Sequence, residues 1–428
     1  MARPPVPAPG GIVISPETSA PGTPAVSPPG AAPARATFGA VFAVGEFRAL
    51  WIAQILSVAG DQLARVALTL LVYDRTHSAL LAAVTFAASV VPTFVGGLAL
   101  SGLADRLPRR EVLIACDVVR CGLVLAMAVP GMPVAVLVIL LFLVTMVSAP
   151  FTSARAALYA DILGGDTYVL GTAVTMTTIQ VAQVAGFAVG GAAVAFAGVR
   201  ASLLADAATF LLSGLIIRCW VRARPAPAER SGPRPAGPRG LLSGITVVFA
   251  DPGLRIPMFF GWLVAFLDAQ EGVAAPLAAS LGAGAVAVGL ILGAGALGTS
   301  AGVIGFGRLV APAVRQRWTG PLAITSCGVL ILFAFSPALP WVLVILTVSG
   351  LLSCYQIAAN AAFVTASSAQ ARSQAFGVAL AGMSLGQGAA MILAGAAAQH
   401  HPPSVVIAAS GVLGVIAATG IVLAQRRR

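Results

Sequence analysis

From Trp318 to Ala371 the chain runs 54 residues without one Asp, Glu, Lys or Arg, and from Ser373 to Gln425 it runs 53 more. Intervals of that length cannot lie on the surface of a water-soluble domain, where about a quarter of residues are charged. Each is more than twice the roughly 20 residues that carry a helix across a bilayer. Each is also broken near its middle, the first by Ser336-Pro337-Ala338-Leu339-Pro340 and the second by His400-His401-Pro402-Pro403. Proline removes a backbone donor and imidazoles avoid hydrocarbon, so a helix in lipid stops at both places. Each interval therefore predicts two spanning helices and a tight turn. With 58% hydrophobic and 9% charged residues overall, the whole chain reads as a polytopic membrane protein.

The same division by charge and breakers predicts spans near 49–73, 79–101, 111–129, 133–153, 169–196 and 201–221, then 255–279, 284–307, 319–335, 340–363, 374–398 and 404–424. The expected fold is all-α, with twelve transmembrane helices in two six-helix halves. Residues 1–44, rich in Pro, Ala, Gly and Ser, read as a disordered cytoplasmic tail without a secretory signal, leaving the first span to direct insertion. Residues 45–221 form the N-terminal bundle, 222–253 a Pro- and Arg-rich cytoplasmic linker, 254–425 the C-terminal bundle and 426–428 a short cytoplasmic tail. Placing both termini in the cytoplasm puts 21 of the 25 basic residues on that side, as the positive-inside rule requires of a plasma-membrane protein. The halves also align without a gap: Asp61 falls on Asp268, Val66 on Val273, Ala67 on Ala274 and Leu70 on Leu277.

The formal charge of +11 comes from arginine alone and is scattered between apolar runs, which argues against nucleic-acid binding. Five widely spaced cysteines give no disulfide or metal framework. Only three histidines are present, all predicted outside the spans, with no nucleophile and base together and no phosphate loop. No enzyme chemistry, cofactor or metal is expected. The partners implied are the bilayer, a small-molecule substrate and protons, on a monomer.

Ionisable groups at membrane depth cost a few kcal/mol each, so they mark function or tight pairing. Asp61 and Arg65 are four apart in the order that favours a pair on one helix face. Asp268 and Glu271 are three apart, so two carboxylates share a face and one is expected to keep a proton. These four groups are expected to line a central cavity, with Arg65 competing with a proton for Glu271 or Asp268. Asp206 stands alone in the sixth span, either hydrogen-bonded to a neighbouring helix or a second proton site. Asp117 and Arg120, three apart, read as a structural pair. Gln180, Gln183, Tyr355, Gln356, Asn360 and Gln387 are candidate substrate contacts, each weighed against ordinary interhelical bonding. The glycines at 186, 190, 289, 293, 298, 302 and 305 read as packing positions.

Between the second and third spans lies Ser101-Gly102-Leu103-Ala104-Asp105-Arg106-Leu107-Pro108-Arg109-Arg110. This segment resembles the GxLADRxGRR signature of the major facilitator superfamily, with Ser101 and Pro108 in place of two glycines. Phe47-Arg48-Ala49-Leu50-Trp51, Gly60-Asp61, Asp117 with Arg120, and Leu204 to Phe210 are similar to its macrolide-efflux and enterobactin-exporter branch. The resemblance spans residues 45–425 and implies proton-coupled efflux of an amphipathic drug, siderophore or metabolite by alternating access, with an importer or facilitator as the alternative on the same fold. It further implies that Gly102, Asp105, Arg106, Arg109 and Arg110 form a conformational latch, Asp105 meeting a helix amino terminus in the other half. Two departures weaken the antiport reading: Phe187 replaces the proline of a GPxxGG pattern, and the fourth span runs uncharged to Arg155.

Overall fold

The computed structural model describes residues 37–100, 107–225, 238–367 and 372–426. Among the described residues every regular element is helical. The short helix α1 (Phe38–Ala43) is capped by Thr37, whose hydroxyl accepts from the Ala40 amide at 3.3 Å. It packs Phe42 edge-on against Phe47 and Trp51 of α2 (Gly45–Thr76). His77, left-handed at φ 49°, ends α2, and Ser78 caps α3 (Ala79–Ala87), accepting from the Leu81 amide at 3.2 Å. After a break before Pro92 the span continues as α4 (Pro92–Leu100). Then come α5 (Arg109–Met127), α6 (Val134–Ile162) and α7 (Gly165–Trp220).

Although α7 is 56 residues long, Gly198 inside it has φ 83° and ψ 169°. Glycine alone takes that conformation without steric cost, so α7 is two legs hinged where a turn was expected between 196 and 201. The C-terminal helices are α8 (Pro238–Ala250), α9 (Pro252–Trp262), α10 (Val264–Gly272), α11 (Ala274–Ser280) and α12 (Ala285–Leu309). They continue with α13 (Pro312–Val329), a 3-10 turn at Leu330–Phe335, α14 (Leu339–Leu352), α15 (Tyr355–Ala366), α16 (Arg372–Ala397) and α17 (Pro403–Arg426).

Nine described helices are long and apolar enough to cross a membrane, or ten if Gly244–Ala250 with Pro252–Gly272 is one span bent by 103°. Two local reasons separate this from the sequence expectation. The legs of α7 form one continuous element, and α5 carries Arg109, Arg110, Glu111, Asp117 and Arg120. Within the expected linker, residues 238–250 form α8, which packs Val248 into a core with Leu254 and Val378. Helix α6 also runs past the expected end of the fourth span, and Arg155 within it is buried at 6% exposure.

N-terminal and C-terminal helices share one core. Val66, Leu70, Phe86 and Phe187 pack with Leu277, Ile291, Leu292 and Met391. The approach is closest along two seams of small residues. A Cβ added to Gly191 of α7 would lie 2.9 Å from the Gly289 Cα of α12, and one added to Gly395 of α16 would lie 2.9 Å from the Ala79 carbonyl of α3. Nearby, Gln399 donates to the Ser78 hydroxyl at 2.8 Å. At the far end, the ion pairs of the described residues join N-terminal elements to one another: Glu46 with Arg222 and Arg224, and Arg109 with Asp161.

Candidate functional site

A cavity of about 180 Å³ opens between α7 and the C-terminal helices. The first leg of α7 contributes Gln180 and Gln183, and α10 contributes Asp268, Gln270 and Glu271. Spacing of three along a helix puts each of these pairs on one face. Opposite stand Thr299 and Ser300 of α12, Ser349 of α14, Ser353 and Gln356. The cavity forms where helices are interrupted: α10 gives way to α11 at Val273, and α14 to α15 at Ser353-Cys354. Broken helices at membrane depth are tolerated where they line a cavity rather than face lipid.

Hydrogen bonding orients the lining. Gln387 of α16 donates to an Asp268 carboxylate oxygen at 2.5 Å, fixing that side chain from behind. The hydroxyls of Ser300, Ser349 and Ser353 donate to the carbonyls of Ala296, Ser326 and Gly350 at 2.8, 2.8 and 2.6 Å. Gln270 is 5% exposed, and its carbonyl oxygen has no hydrogen-bond partner.

A second polar group lies within the N-terminal helices. Arg120 of α5, 2% exposed, donates to both carboxylate oxygens of Asp61 at 2.7 and 2.9 Å and to the Ser57 hydroxyl at 3.1 Å. Its guanidinium carbon sits 4.0 Å from the centroid of Phe210, a cation–π contact. Asp117 is 3.9 Å away and accepts from Ser213 at 2.6 Å. Asp206 is fully buried, and its one hydrogen-bonding side chain among the described residues, Thr209, lies on its own helix. The Asp206 carboxylate accepts from Thr209 at 3.4 Å and packs on Gly60 of α2, where any side chain would collide with it. Its other oxygen has no hydrogen-bond partner.

The structure corrects the expected Asp61–Arg65 pair. Asp61 turns to Arg120, 59 residues along the chain. Arg65 instead donates to the Gln62 side chain at 3.4 Å and to the Ser89 carbonyl at 3.0 Å. It makes no ion pair with Asp268 or Glu271, although the charges of Asp61 and Glu271 both act on it. The expected Asp117–Arg120 pair is present, but as the longer of the two contacts Arg120 makes with carboxylates. Asp61 and Arg65 line a separate, smaller pocket with Arg120, Thr145 and Ser148.

Among the candidate contacts, Gln180, Gln183 and Gln356 line the cavity and Gln387 supports it through Asp268. Two others do not. The Tyr355 side chain is completely buried, its ring 6.4 Å from that of Phe260, and Asn360 is exposed away from the lining. Gly102, Asp105 and Arg106 lie outside the described residues. Arg109 binds the Ala157 carbonyl at 3.2 Å together with Asp161, and Arg110 binds the Arg218 carbonyl, so both arginines brace α6 and α7. Gln270 and the cavity hydroxyls escaped sequence reasoning, because a lone Gln beside Asp268 or a Ser inside an apolar run carries no spacing signal. Among the described residues no group of His, Cys, Asp and Glu could hold a metal ion.

Residues 50–311 match the family model described as Major Facilitator Superfamily. The enterobactin exporter EntS of Shigella boydii serotype 4 is 26% identical over 268 residues, 61% of this chain and 63% of that protein. EntS of Escherichia coli O1:K1 is 26% identical over 272 residues, with the same shares. The chain thus matches about 63% of the length of these relatives. A solved POT family transporter in complex with 5-aminolevulinic acid superposes with a TM-score of 0.70 at 10% identity, covering 88% of this chain and 95% of that one. A bacterial homolog of the human lysosomal transporter Spinster, inward-facing and unoccupied, gives 0.63 at 15% identity, covering 89% and 97%. Both likenesses are of fold.

Proposed function

The chain belongs to the Major Facilitator Superfamily, a multi-pass membrane transporter family, and on that premise we propose that it is a proton-coupled exporter of an amphipathic small molecule. The observation that carries this reading is the cavity lined by Gln180 and Gln183 of α7 together with Asp268 and Glu271 of α10, a polar site within an apolar body. A transporter of this kind exposes one such site alternately to the two sides by rocking two bundles about it. Counting the legs of α7 as two spans, α5 as a span whose charges pair internally and α9–α11 as one, the chain makes twelve crossings in two bundles of six. With both termini cytoplasmic, the Gly191–Gly289 and Ala79–Gly395 seams lie toward the outside, and the conformation faces inward.

Coupling is assigned to the carboxylates of α10. Glu271 lies within the field of Arg65 across the boundary between α2 and α10. A proton on Glu271 cancels that attraction, and its departure restores it, so the proton biases the two-state equilibrium of the bundles. Efflux rather than uptake is supported by the similarity to exporters over 61% of the chain. Everted vesicles carrying the chain and given an imposed pH gradient test this directly. Accumulation of dye that collapses with the gradient, and that loses its pH dependence in Glu271→Gln, is the expected result. Gradient-driven loss of dye would instead establish import.

A further inference from the structure

We infer that the cavity between α7 and α10 selects a cargo bearing a protonated amine, an inference that rests on the transporter reading and names its substrate class. Among its described lining residues are two carboxylates, Asp268 and Glu271, and no Arg, Lys or His. Arg65 reaches Glu271 only through its field, which Asp61 shares, and it stands outside the lining. A charged cargo that balances this surface is a cation.

Hydrogen bonding points the same way independently. The protons of Ser300, Ser349 and Ser353 are committed to backbone carbonyls, so these hydroxyls offer the cavity lone pairs only. Gln270, 95% buried by its 5% exposure, lines the cavity with a carbonyl oxygen that has no partner. A buried acceptor left unmatched costs about 1–3 kcal/mol, which a donor on the cargo recovers. The Gln180, Gln183 and Gln356 amides can turn either end to suit. Carboxylates, an orphaned amide oxygen and proton-committed hydroxyls together form a surface that asks for N–H donors carrying positive charge, and an ammonium supplies three. A carboxylate or catecholate cargo would meet repulsion from α10.

Three probes with one fluorophore isolate the charge: monodansylcadaverine (an amine), its N-acetyl derivative (neutral) and dansylglycine (an anion). Binding to the purified full chain in detergent is read by dansyl emission. The amine should bind roughly tenfold to a hundredfold more tightly than the acetylated form, with the anion weakest. Glu271→Gln and Asp268→Asn, near-isosteric and checked by gel filtration, should each reduce that advantage about tenfold. Gln270→Leu keeps both charges and provides a second readout, lowering affinity for the amine roughly threefold to tenfold. Equal binding of amine and acetylated probe, preference for the anion, no binding of the amine, or an advantage unaltered in both carboxylate variants overturns the assignment. Flux separates it from the reading beneath it. Selective binding of the amine without pH-driven flux in vesicles of either orientation would end the exporter reading and leave the cation site standing. Flux that treats amine and acetylated probes alike would do the reverse.

Discussion

Replacing Arg120 with Met removes the guanidinium that, among the described residues, pairs with Asp61 of α2 and Asp117 of α5, and leaves both carboxylates without it. The lost contacts are two charge-assisted bonds to Asp61 at 2.7 and 2.9 Å, one bond to Ser57 at 3.1 Å and the stack on Phe210 at 4.0 Å. Charged hydrogen bonds contribute about 1.5–3 kcal/mol and a desolvated cation–π contact about 2 kcal/mol. These do not add, because the dominant cost is the uncompensated carboxylate, and breaking a buried pair from one side costs about 3–5 kcal/mol. Arg120→Met should therefore destabilise the protein by about 3–5 kcal/mol, and Asp61→Asn by about 1.5–3 kcal/mol, since Arg120 then keeps Asp117. The double variant should be more stable than Arg120→Met alone, giving a coupling of about 2 kcal/mol. Unfolding by SDS in mixed micelles, followed by tryptophan emission, measures each corner of the cycle. Arg65→Met provides the control, because Arg65 bonds Gln62 and Ser89 instead of Asp61. A cycle in which Asp61 couples to Arg65 and not to Arg120, or in which Arg120→Met is as stable as the parent, would refute the arrangement.

Gly60→Ala drives a methyl group into the Asp206 carboxylate and Thr209; overpacking of this kind should cost about 1–3 kcal/mol in the same unfolding assay, and a neutral result would remove Asp206 from the α2 interface. Gly289→Val wedges α12 from Gly191 of α7, so a cysteine introduced at Ser78 should react faster with a membrane-impermeant maleimide than in the parent; an unchanged rate would mean that the seam does not close that face. Cys219, exposed beside Arg218 and Trp220, should be labelled by the same reagent in everted vesicles and be protected in intact cells, and the reverse pattern would invert the topology.

How far the sequence could be read depended on the range of the interaction. Charge-free runs and their breakers act within one or two turns and predict long apolar helices, of which nine or ten are found among the described residues, and the Gly198 hinge lies inside the predicted turn. Asp61 and Arg120 were each recognised as buried charges, but local spacing supplies partners only three or four residues away, and it offered Arg65. The real pairing depends on how α5 crosses α2, which nothing in either segment encodes by itself. At the cavity, Asp268, Glu271, Gln180 and Gln183 stood out as polar groups at membrane depth. Tyr355 did too, yet the next residue, Gln356, faces the cavity while Tyr355 turns into the Phe260 core. One step along a helix rotates a side chain by about 100°, a distinction that single-sequence reading misses when both residues are polar. The serines at 300, 349 and 353 were invisible for the opposite reason, since a hydroxyl bonded to its own helix looks like packing until the cavity beside it is seen.

The hinge at Gly198 has a mechanical consequence. One leg of α7 carries Gln180 and Gln183 in the cavity wall; the other carries Asp206, Phe210 and Ser213 against the Arg120 cluster. No loop slackens the connection, so relative movement of the legs is a rotation about the torsions of a single residue at φ 83°. The pivot lies between the two sites, so any transmission from Gln180 to Asp206 runs through this one residue rather than through a flexible loop. Inserting a few glycines after Gly198 would cut that transmission while leaving both the cavity and the ionic cluster intact.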